Sequence, residues 1–378
     1  MGRVTPVGVG FLAVLTVTGW CELSLLLLPM FLLSLVRIPE IARVVKPAYR
    51  RTAHFACWNH WGIDRRLSGT EYLFGIRVTV TGDAATKTHE SELLRGERAM
   101  WLSNHRTRID WMLLWTLALR TQTLGQMKIV LKAPLRMAPI FGWAMQHFLF
   151  IFLNRRWEED EAMLRDYLPF LTAKEPQASY LLFPEGTDLA ESNLVKSAAH
   201  AKKNNLAERK YSLYPRTTGF KFMFPRVRDQ LDAVYDITMF YVDHVPNERP
   251  SEAALLSGRT PRSIHFHLER VAVGDMPKNE TDLGKWVEKS FERKEKNLKA
   301  YYEENGRLPK DAQPLTFADP MASYFLIVVF WVWFVTLGTK LAWFWGWWSI
   351  YFAGVVAAGC AIITFAFGGV DSILRRTF

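Results

Sequence analysis

The sequence predicts an α/β fold, with a mostly parallel central sheet flanked by helices and held at a membrane by apolar segments near both ends of the chain. Three observations support this. Short apolar runs with strand character alternate with longer helical stretches in the middle of the chain, which is the pattern of layered α/β proteins. Long apolar runs with almost no charge lie near the two termini. The net charge of +10 over 378 residues suits a chain that meets anionic lipid.

The first apolar run, residues 7–36, carries a single charge, Glu22. It is too long for a signal peptide, and its start lacks a strongly basic region. We therefore expect a membrane anchor, either one tilted helix or a shallow re-entrant pair split near Glu22. Five basic residues lie between positions 37 and 51, against one acidic residue, Glu40. The positive-inside rule places this flank in the cytosol.

Two apolar runs near the other end, residues 321–339 and 341–370, are separated by Lys340 and carry no further charge. A buried helix pair rarely runs so long without a charge, whereas a membrane span needs about 20 apolar residues. We expect a transmembrane hairpin whose tail returns to the cytosol. The predicted organisation is an anchor with its basic flank over residues 1–50, a cytosolic domain over 51–320, and the hairpin and tail over 321–378.

The predicted elements of the central domain follow in chain order. Residues 72–82 alternate Ile76, Val78 and Val80 and predict a strand. The apolar run 100–103 leads into a helical stretch at 109–119. Further strands are predicted at 180–183, 233–241 and 263–271, and further helices at 158–172 and 281–304. The last helix carries an apolar stripe that includes Leu283 and Phe291.

Two stretches place Asn-His ahead of an aspartate, "WNHWGIDRR" at 58–66 and "LSNHRTRIDW" at 102–111. A histidine can take a proton from a hydroxyl near neutral pH when a carboxylate fixes its tautomer. His105 and Asp110 are five residues apart, but the predicted strand-to-helix turn between them can bring them together. His60 and Asp64 have helical spacing soon after the anchor, where an amphipathic interfacial segment is expected. We therefore assign the proton-transfer pair to His105 and Asp110.

Two more segments carry groups suited to a phosphate-bearing substrate. "FPEGT", at 183–187, offers a carboxylate, a glycine and a hydroxyl after a buried strand. "FLNRRW", at 152–157, places Arg155 and Arg156 after an apolar run. Arginine is the preferred partner of a phosphate ester, although Arg156 is equally well explained as a solvated charge.

Three motifs thus follow one another along the chain: Asn-His with an aspartate five residues after the histidine, an arginine after an apolar strand, and Pro-Glu-Gly-Thr. This ordered set resembles the motifs of the glycerolipid acyltransferases of the lysophosphatidic acid type. The flanking stretches "NHRTRIDWMLLW", "YPRTTGF" and "PRSIHFHLERV" are similar to the lysocardiolipin branch of that family. The resemblance covers nearly the whole chain. The family's apolar-Pro-apolar fourth block reads "ITMFYVD" here, which leaves that contact undefined.

The resemblance implies transfer of an acyl group from coenzyme A to a free hydroxyl of an anionic lysophospholipid, with acyl-CoA as a co-substrate and no separate cofactor. It implies that His105 is the general base and that Asp110 orients it. It also implies residence in the endoplasmic reticulum membrane, or where that membrane meets mitochondria. The substrate-binding residues that it implies are Asn104, Lys132, Arg155, Glu185, Gly186 and Thr187.

Several alternatives stay open at this point. The acceptor could instead be lysophosphatidic acid, lysophosphatidylglycerol or lysophosphatidylinositol. A His-Asp pair can also activate water in a lipid hydrolase, although no Gly-x-Ser-x-Gly nucleophile elbow is present. A non-catalytic membrane scaffold is the third possibility.

Other ligand classes find little support in the sequence. The basic residues are scattered and carry no nucleic-acid-binding signature. His265 and His267 lie on one face of a predicted strand, but no third ligand is nearby in sequence, so we expect no metal site. The three cysteines are far apart and predict no disulfide framework.

Overall fold

The computed structural model describes residues 5–35, 39–63, 76–243, 249–317, 332, 336, 338–340, 343–344 and 346–377. Its strands are β1 Arg77–Gly82, β2 Ala99–Ser103, β3 Met127–Lys132, β4 Ile151–Leu153, β5 Ser179–Leu182, β6 Ala233–Val242, β7 Ser263–Ala272 and β8 Gln313–Pro314. Its α-helices are α1 Pro6–Glu22, α2 Leu28–Ser34, α3 Pro39–Ile63, α4 Ala84–Thr88, α5 Glu90–Leu94, α6 Asp110–Arg120, α7 Phe141–His147, α8 Trp157–Lys174, α9 Glu191–Lys203, α10 Thr217–Val227, α11 Glu252–Leu256, α12 Glu280–Glu303, α13 Trp347–Phe367 and α14 Val370–Thr377. The chain forms two compact units, one of residues 1–8, 67–123 and 171–318, and one of residues 9–66, 124–170 and 319–378.

The first unit contains a sheet in the order β5-β2-β6-β7-β1-β8. Strand β2 pairs in parallel with both β5 and β6, and β7 pairs in parallel with β1. Strands β6 and β7 run antiparallel over ten residue pairs, and β8 is antiparallel to β1. The sheet is therefore mixed, and the prediction of a mostly parallel sheet is wrong. Parallel neighbours need a long crossover, usually a helix, whereas the described part of the β6–β7 connection holds only the five-residue helix α11.

Strands β2, β5 and β6 of this sheet are buried almost without a break, as apolar runs in the middle of an α/β sheet are expected to be. Every residue of β2 and β5 is buried, and so are the first nine of β6. Helix α12 buries its predicted apolar stripe, with Leu283, Val287 and Phe291 fully enclosed. Its Lys294 Nζ lies 2.6 Å from the buried Asp236 carboxylate on β6, so an ion pair also ties this helix to the strand.

The second unit contains the parallel pair β3 and β4 together with most of the apolar helices. The N-terminal run is helical from Pro6 to Ser34, because a π-helical turn at Leu23–Leu27 joins α1 to α2. Among the described residues, one helix, Trp347–Phe367, is long and apolar enough to cross a membrane, and Gly19–Ser34 is a shorter apolar stretch. The predicted first arm of the C-terminal hairpin, at 321–339, lies largely outside the described residues.

The C-terminal helix α14 is attached to the second unit by specific contacts. The chain turns at Gly368 and Gly369, which have φ values of +74° and +102°. The Arg136 guanidinium then pairs with Asp371 at 2.8 Å. The Gln146 side chain donates to Thr364 Oγ1 at 3.1 Å and accepts from the Val370 N–H at 3.0 Å. The tail is thus a packed part of this unit.

Candidate active site

The two residues predicted to carry the chemistry meet at the end of β2. His105 follows the strand, and Asp110 is the first residue of α6. The turn between them brings His105 Nδ1 to 3.0 Å from Asp110 Oδ2, although a regular helix would not align residues five apart. The Asp110 side chain is completely buried, whereas that of His105 keeps 15% of its surface exposed. The arrangement leaves the other imidazole nitrogen, Nε2, as the atom available for a substrate.

The Asp110 carboxylate accepts three hydrogen bonds besides the one from His105. Thr107 donates its N–H at 3.0 Å and its hydroxyl at 2.9 Å. The Tyr241 hydroxyl, from β6, donates to Asp110 Oδ1 at 2.7 Å. Burial, together with the Asp110 charge, raises the pKa of Tyr241 well above its ordinary value, so the hydroxyl keeps its proton and remains a donor. The sequence analysis missed both residues, and only the position of Thr107 inside the turn offered a local signal.

Residues 183–189, which we call the site loop, hold His105 from several sides. The Glu185 carboxylate accepts the His105 N–H at 2.8 Å through Oε1 and the Leu213 N–H at 2.9 Å through Oε2. The Phe183 ring stacks on the imidazole with centroids 4.4 Å apart. The Leu189 N–H donates to the His105 carbonyl at 2.9 Å. The site loop therefore sets the position of the histidine backbone and ring.

The Glu185 side chain is 3% exposed. Burial raises its pKa to about 8, in opposition to the two backbone N–H donors, which lower it. Both carboxylate oxygens face backbone donors inside the protein. Its observed contacts thus position His105, because both of its oxygens accept backbone N–H groups.

The other residues of the Pro-Glu-Gly-Thr motif also have defined roles in the loop. Gly186 has a φ of +70°, a conformation that side-chain-bearing residues rarely adopt. The Thr187 hydroxyl accepts from Asn193 Nδ2 at 3.0 Å and lies 3.3 Å from Asp188 Oδ1. These contacts give the loop its turn and join it to the start of α9.

Asn104 is buried and ties the end of β2 to the neighbouring strand. Its Oδ1 accepts from the Met239 N–H at 2.8 Å, and its Nδ2 donates to the Met239 carbonyl at 3.3 Å. Both polar atoms of the amide are therefore used by the backbone of β6. Asn104 fixes the geometry of the residue next to it, His105.

Lys132 and Arg155, which were predicted to bind substrate, belong to the second unit. Lys132 ends β3, where it pairs in register with Leu153 at the end of β4. Arg155 follows β4 in the left-handed region, with a φ of +65°, and its N–H donates to Asp160 Oδ2 at 2.8 Å. The two residues thus come from the same edge of this strand pair. Arg156 is 75% exposed beside Glu159, as expected of a solvated charge.

The two neighbouring histidines of β7 are bound to threonines of β1. The two ring nitrogens of His265 lie 2.7 Å from Thr79 Oγ1 and 2.8 Å from Thr81 Oγ1. Burial lowers the pKa of His265 to about 4, with a smaller contribution from His267. Within the described part of the chain, no group of three or more His, Cys, Asp or Glu side chains is arranged to hold a metal ion.

The described part of the other Asn-His stretch, residues 58–63, forms the end of α3 and includes His60. Asp64 lies outside the described residues. The interfacial role predicted for His60 therefore stays a prediction, while the His105–Asp110 contact is observed.

Comparison with known proteins places these features among lipid acyltransferases. A family model described as Acyltransferase matches residues 77–242, and one described as Acyltransferase C-terminus matches residues 254–333. Lysocardiolipin acyltransferase 1 of Mus musculus is 40% identical over 65% of this chain and 65% of its own length. The probable 1-acyl-sn-glycerol-3-phosphate acyltransferase 5 of Arabidopsis thaliana is 34% identical over 71% of this chain and 70% of its own length. Lysophosphatidylinositol acyltransferase 10 of Caenorhabditis elegans is 37% identical over 62% of this chain and 58% of its own length. The chain thus spans less than two thirds of the mouse and worm relatives.

Proposed function

This chain belongs to the acyltransferase family that includes the 1-acyl-sn-glycerol-3-phosphate acyltransferases, and on that premise we propose that it acylates a lysophospholipid. The donor is an acyl-CoA thioester, used as a co-substrate without a separate cofactor. The acceptor is an anionic lysophospholipid, lysocardiolipin first, because a relative that is 40% identical is a lysocardiolipin acyltransferase. Lysophosphatidic acid, lysophosphatidylglycerol and lysophosphatidylinositol are the alternative acceptors.

The observation that carries this proposal is the His105–Asp110 contact of 3.0 Å. Asp110 accepts the Nδ1 proton, so the neutral imidazole presents Nε2 as a base toward the acceptor. As the acceptor hydroxyl attacks the thioester carbonyl, its proton moves to His105 Nε2. The carbon–sulfur bond then breaks and coenzyme A leaves as the thiolate, and the imidazolium gives its proton to that thiolate or to solvent. Asp110 stabilises the imidazolium in between.

The remaining site residues divide by the contacts that they make. Asn104 and Glu185 bind backbone groups around His105, so we assign them to positioning. Gly186 and Thr187 shape the site loop beside the acceptor. We assign Arg155 to the acceptor phosphate and Lys132 to a phosphate of the acceptor or of coenzyme A, on the chemistry of their side chains.

We place the enzyme at the endoplasmic reticulum membrane with its catalytic domain in the cytosol, where acyl-CoA is present. Helix α13 has the length and apolarity of a span, and the basic flank after residue 36 favours the cytosolic side. The lipid acceptor reaches the site from the bilayer. Residues 1–50 and 321–378 act as the membrane-anchoring segments.

The decisive experiment presents purified full-length protein in detergent micelles with one acyl-CoA and a panel of lysolipids. Wild-type protein is expected to add one acyl chain to lysocardiolipin, and Asp110→Asn to lose the transfer while remaining folded. Release of fatty acid without any acceptor would support a hydrolase instead. Unchanged function of a His105→Ala chain in cells would support a scaffold.

A further inference from the structure

The turn between His105 and Asp110 contains two arginines with opposite surroundings. Arg106 forms a bidentate pair with Asp243, at 2.6 and 2.7 Å, and the two side chains keep only 10% and 9% of their surfaces exposed. Its guanidinium also lies over the rings of Tyr241 and Tyr302, at 5.3 and 5.0 Å from their centroids. Arg106 is therefore engaged by the protein itself, and it holds the end of β6 beside the site.

Arg108, two residues later, is 70% exposed. The carboxylate of Asp188 lies 3.8 Å from its Nε, which is beyond hydrogen-bond distance. Exposed ion pairs of this kind contribute little to stability. The Arg108 guanidinium is therefore accessible to a ligand, three residues from His105 and within the turn that joins His105 to Asp110.

A second exposed arginine lies against the same loop. The Arg216 N–H donates to the Pro184 carbonyl at 2.7 Å. Its Cδ and Nε lie 3.4 and 3.6 Å from the point where a Cβ on Gly186 would be. The side chain thus runs along Gly186, and Arg108 meets the site loop at Asp188. Both arginine side chains therefore lie against the site loop, which binds His105 through Glu185 and Leu189.

We propose that Arg108 and Arg216 bind a phosphate of the lysolipid acceptor and so determine that the enzyme acts on phosphate-bearing lipids. This rests on the proposed acyl-transfer function. A guanidinium presents a planar set of donors that matches phosphate oxygens. In a lysoglycerophospholipid, only glycerol carbons separate the reacting hydroxyl from the phosphate. A hydroxyl at His105 Nε2 therefore places the phosphate near the turn and the site loop. Glu185 does not oppose this, because both of its oxygens accept backbone N–H groups.

Coenzyme A also carries phosphates, so the test has separate arms for the two sources. The variants are Arg108→Gln, Arg216→Gln and the double variant, and the matched control is Arg307→Gln, an exposed arginine beside Glu304 after α12. Each protein is assayed with lysophosphatidic acid, with monoacylglycerol of the same chain length, and over a range of acyl-CoA concentrations. Each site variant is expected to raise KM for lysophosphatidic acid about tenfold, as loss of a charge-assisted hydrogen bond implies. The kcat with lysophosphatidic acid, the KM for acyl-CoA and all constants of the control are expected to change by less than about twofold.

A rise confined to the KM for acyl-CoA, or an equal loss of kcat/KM with both acceptors, would overturn the assignment. Binding supplies an arm that does not depend on turnover. In a His105→Ala background, lysophosphatidic acid is titrated into the protein and the intrinsic tryptophan fluorescence is followed. Binding should weaken about tenfold in Arg108→Gln, while monoacylglycerol binding should not change. If wild-type protein transferred no acyl group but this binding difference remained, the proposed acyl transfer would be wrong and the proposed phosphate site would still be supported.

Discussion

Replacing Tyr241 by phenylalanine is expected to weaken catalysis without disturbing the core. The substitution removes one oxygen and keeps the ring in a site that is 1% exposed. That oxygen donates to Asp110 Oδ1 at 2.7 Å. A hydrogen bond to a charged group contributes about 1.5–3 kcal/mol, and each 1.36 kcal/mol in the barrier is a factor of ten in rate. If the bond acts fully in the transition state, kcat should fall by about 10- to 100-fold.

The assay is acyl transfer, with kcat and KM determined for each substrate. The substitution removes a hydrogen bond to Asp110, the residue that contacts His105. The kcat should therefore fall while KM for either substrate changes little. Tyr180→Phe is the matched control, since Tyr180 is also fully buried, on β5 of the same sheet, and its hydroxyl has no hydrogen-bond partner among the described residues. A Tyr241→Phe protein with an unchanged kcat would refute the reasoning.

Three further outcomes follow from the site. His105→Ala should reduce transfer by about 100- to 10,000-fold, whereas His60→Ala should cause only a modest loss in lipid access or stability; equal inactivity of two folded variants, measured at matched protein level in micelles and bilayers, would place the His60 stretch in the active site. Burial raises the pKa of Glu185 to about 8. The stability that the protonated Glu185 contributes is therefore complete below about pH 4.5 and is lost as the pH rises toward 8. The melting temperature of Glu185→Gln should depend less on pH across that window than that of the wild type, and an equal pH dependence of the two proteins would contradict this. Arg155→Ala should raise KM for the lysolipid more than KM for acyl-CoA, and the opposite pattern in the same steady-state assay would reassign it to the other substrate.

Local patterns in the sequence were sufficient for the individual elements and for the central pair. The apolar runs at β2, β5, β6 and β7 form strands, and the stripe that includes Leu283 and Phe291 is buried on α12. His105 and Asp110 could be paired because the turn that joins them lies within six residues of chain. Periodicity and nearest-neighbour chemistry carry this kind of information.

The direction in which strands pair could not be predicted from the same patterns. A buried strand has the same apolar composition whether its neighbour runs parallel or antiparallel. The antiparallel β6–β7 pair depends on how the chain returns between them, and the local sequence of neither strand records it. The prediction of a mostly parallel sheet was wrong for this reason, and the sheet is mixed.

The sequence by itself determined which residues carry the reactive groups, because an imidazole, a carboxylate and a guanidinium keep their chemistry in any fold. Only the tertiary structure decided what each group faces. Tyr241 reaches Asp110 across 131 positions of the chain, and the carboxylate of Glu185 turns to the backbone of His105 and Leu213. The tertiary structure likewise buries Arg106 against Asp243 and leaves Arg108 exposed. Contacts between distant segments depend on how the strands and helices pack, and no local spacing in the chain specifies them.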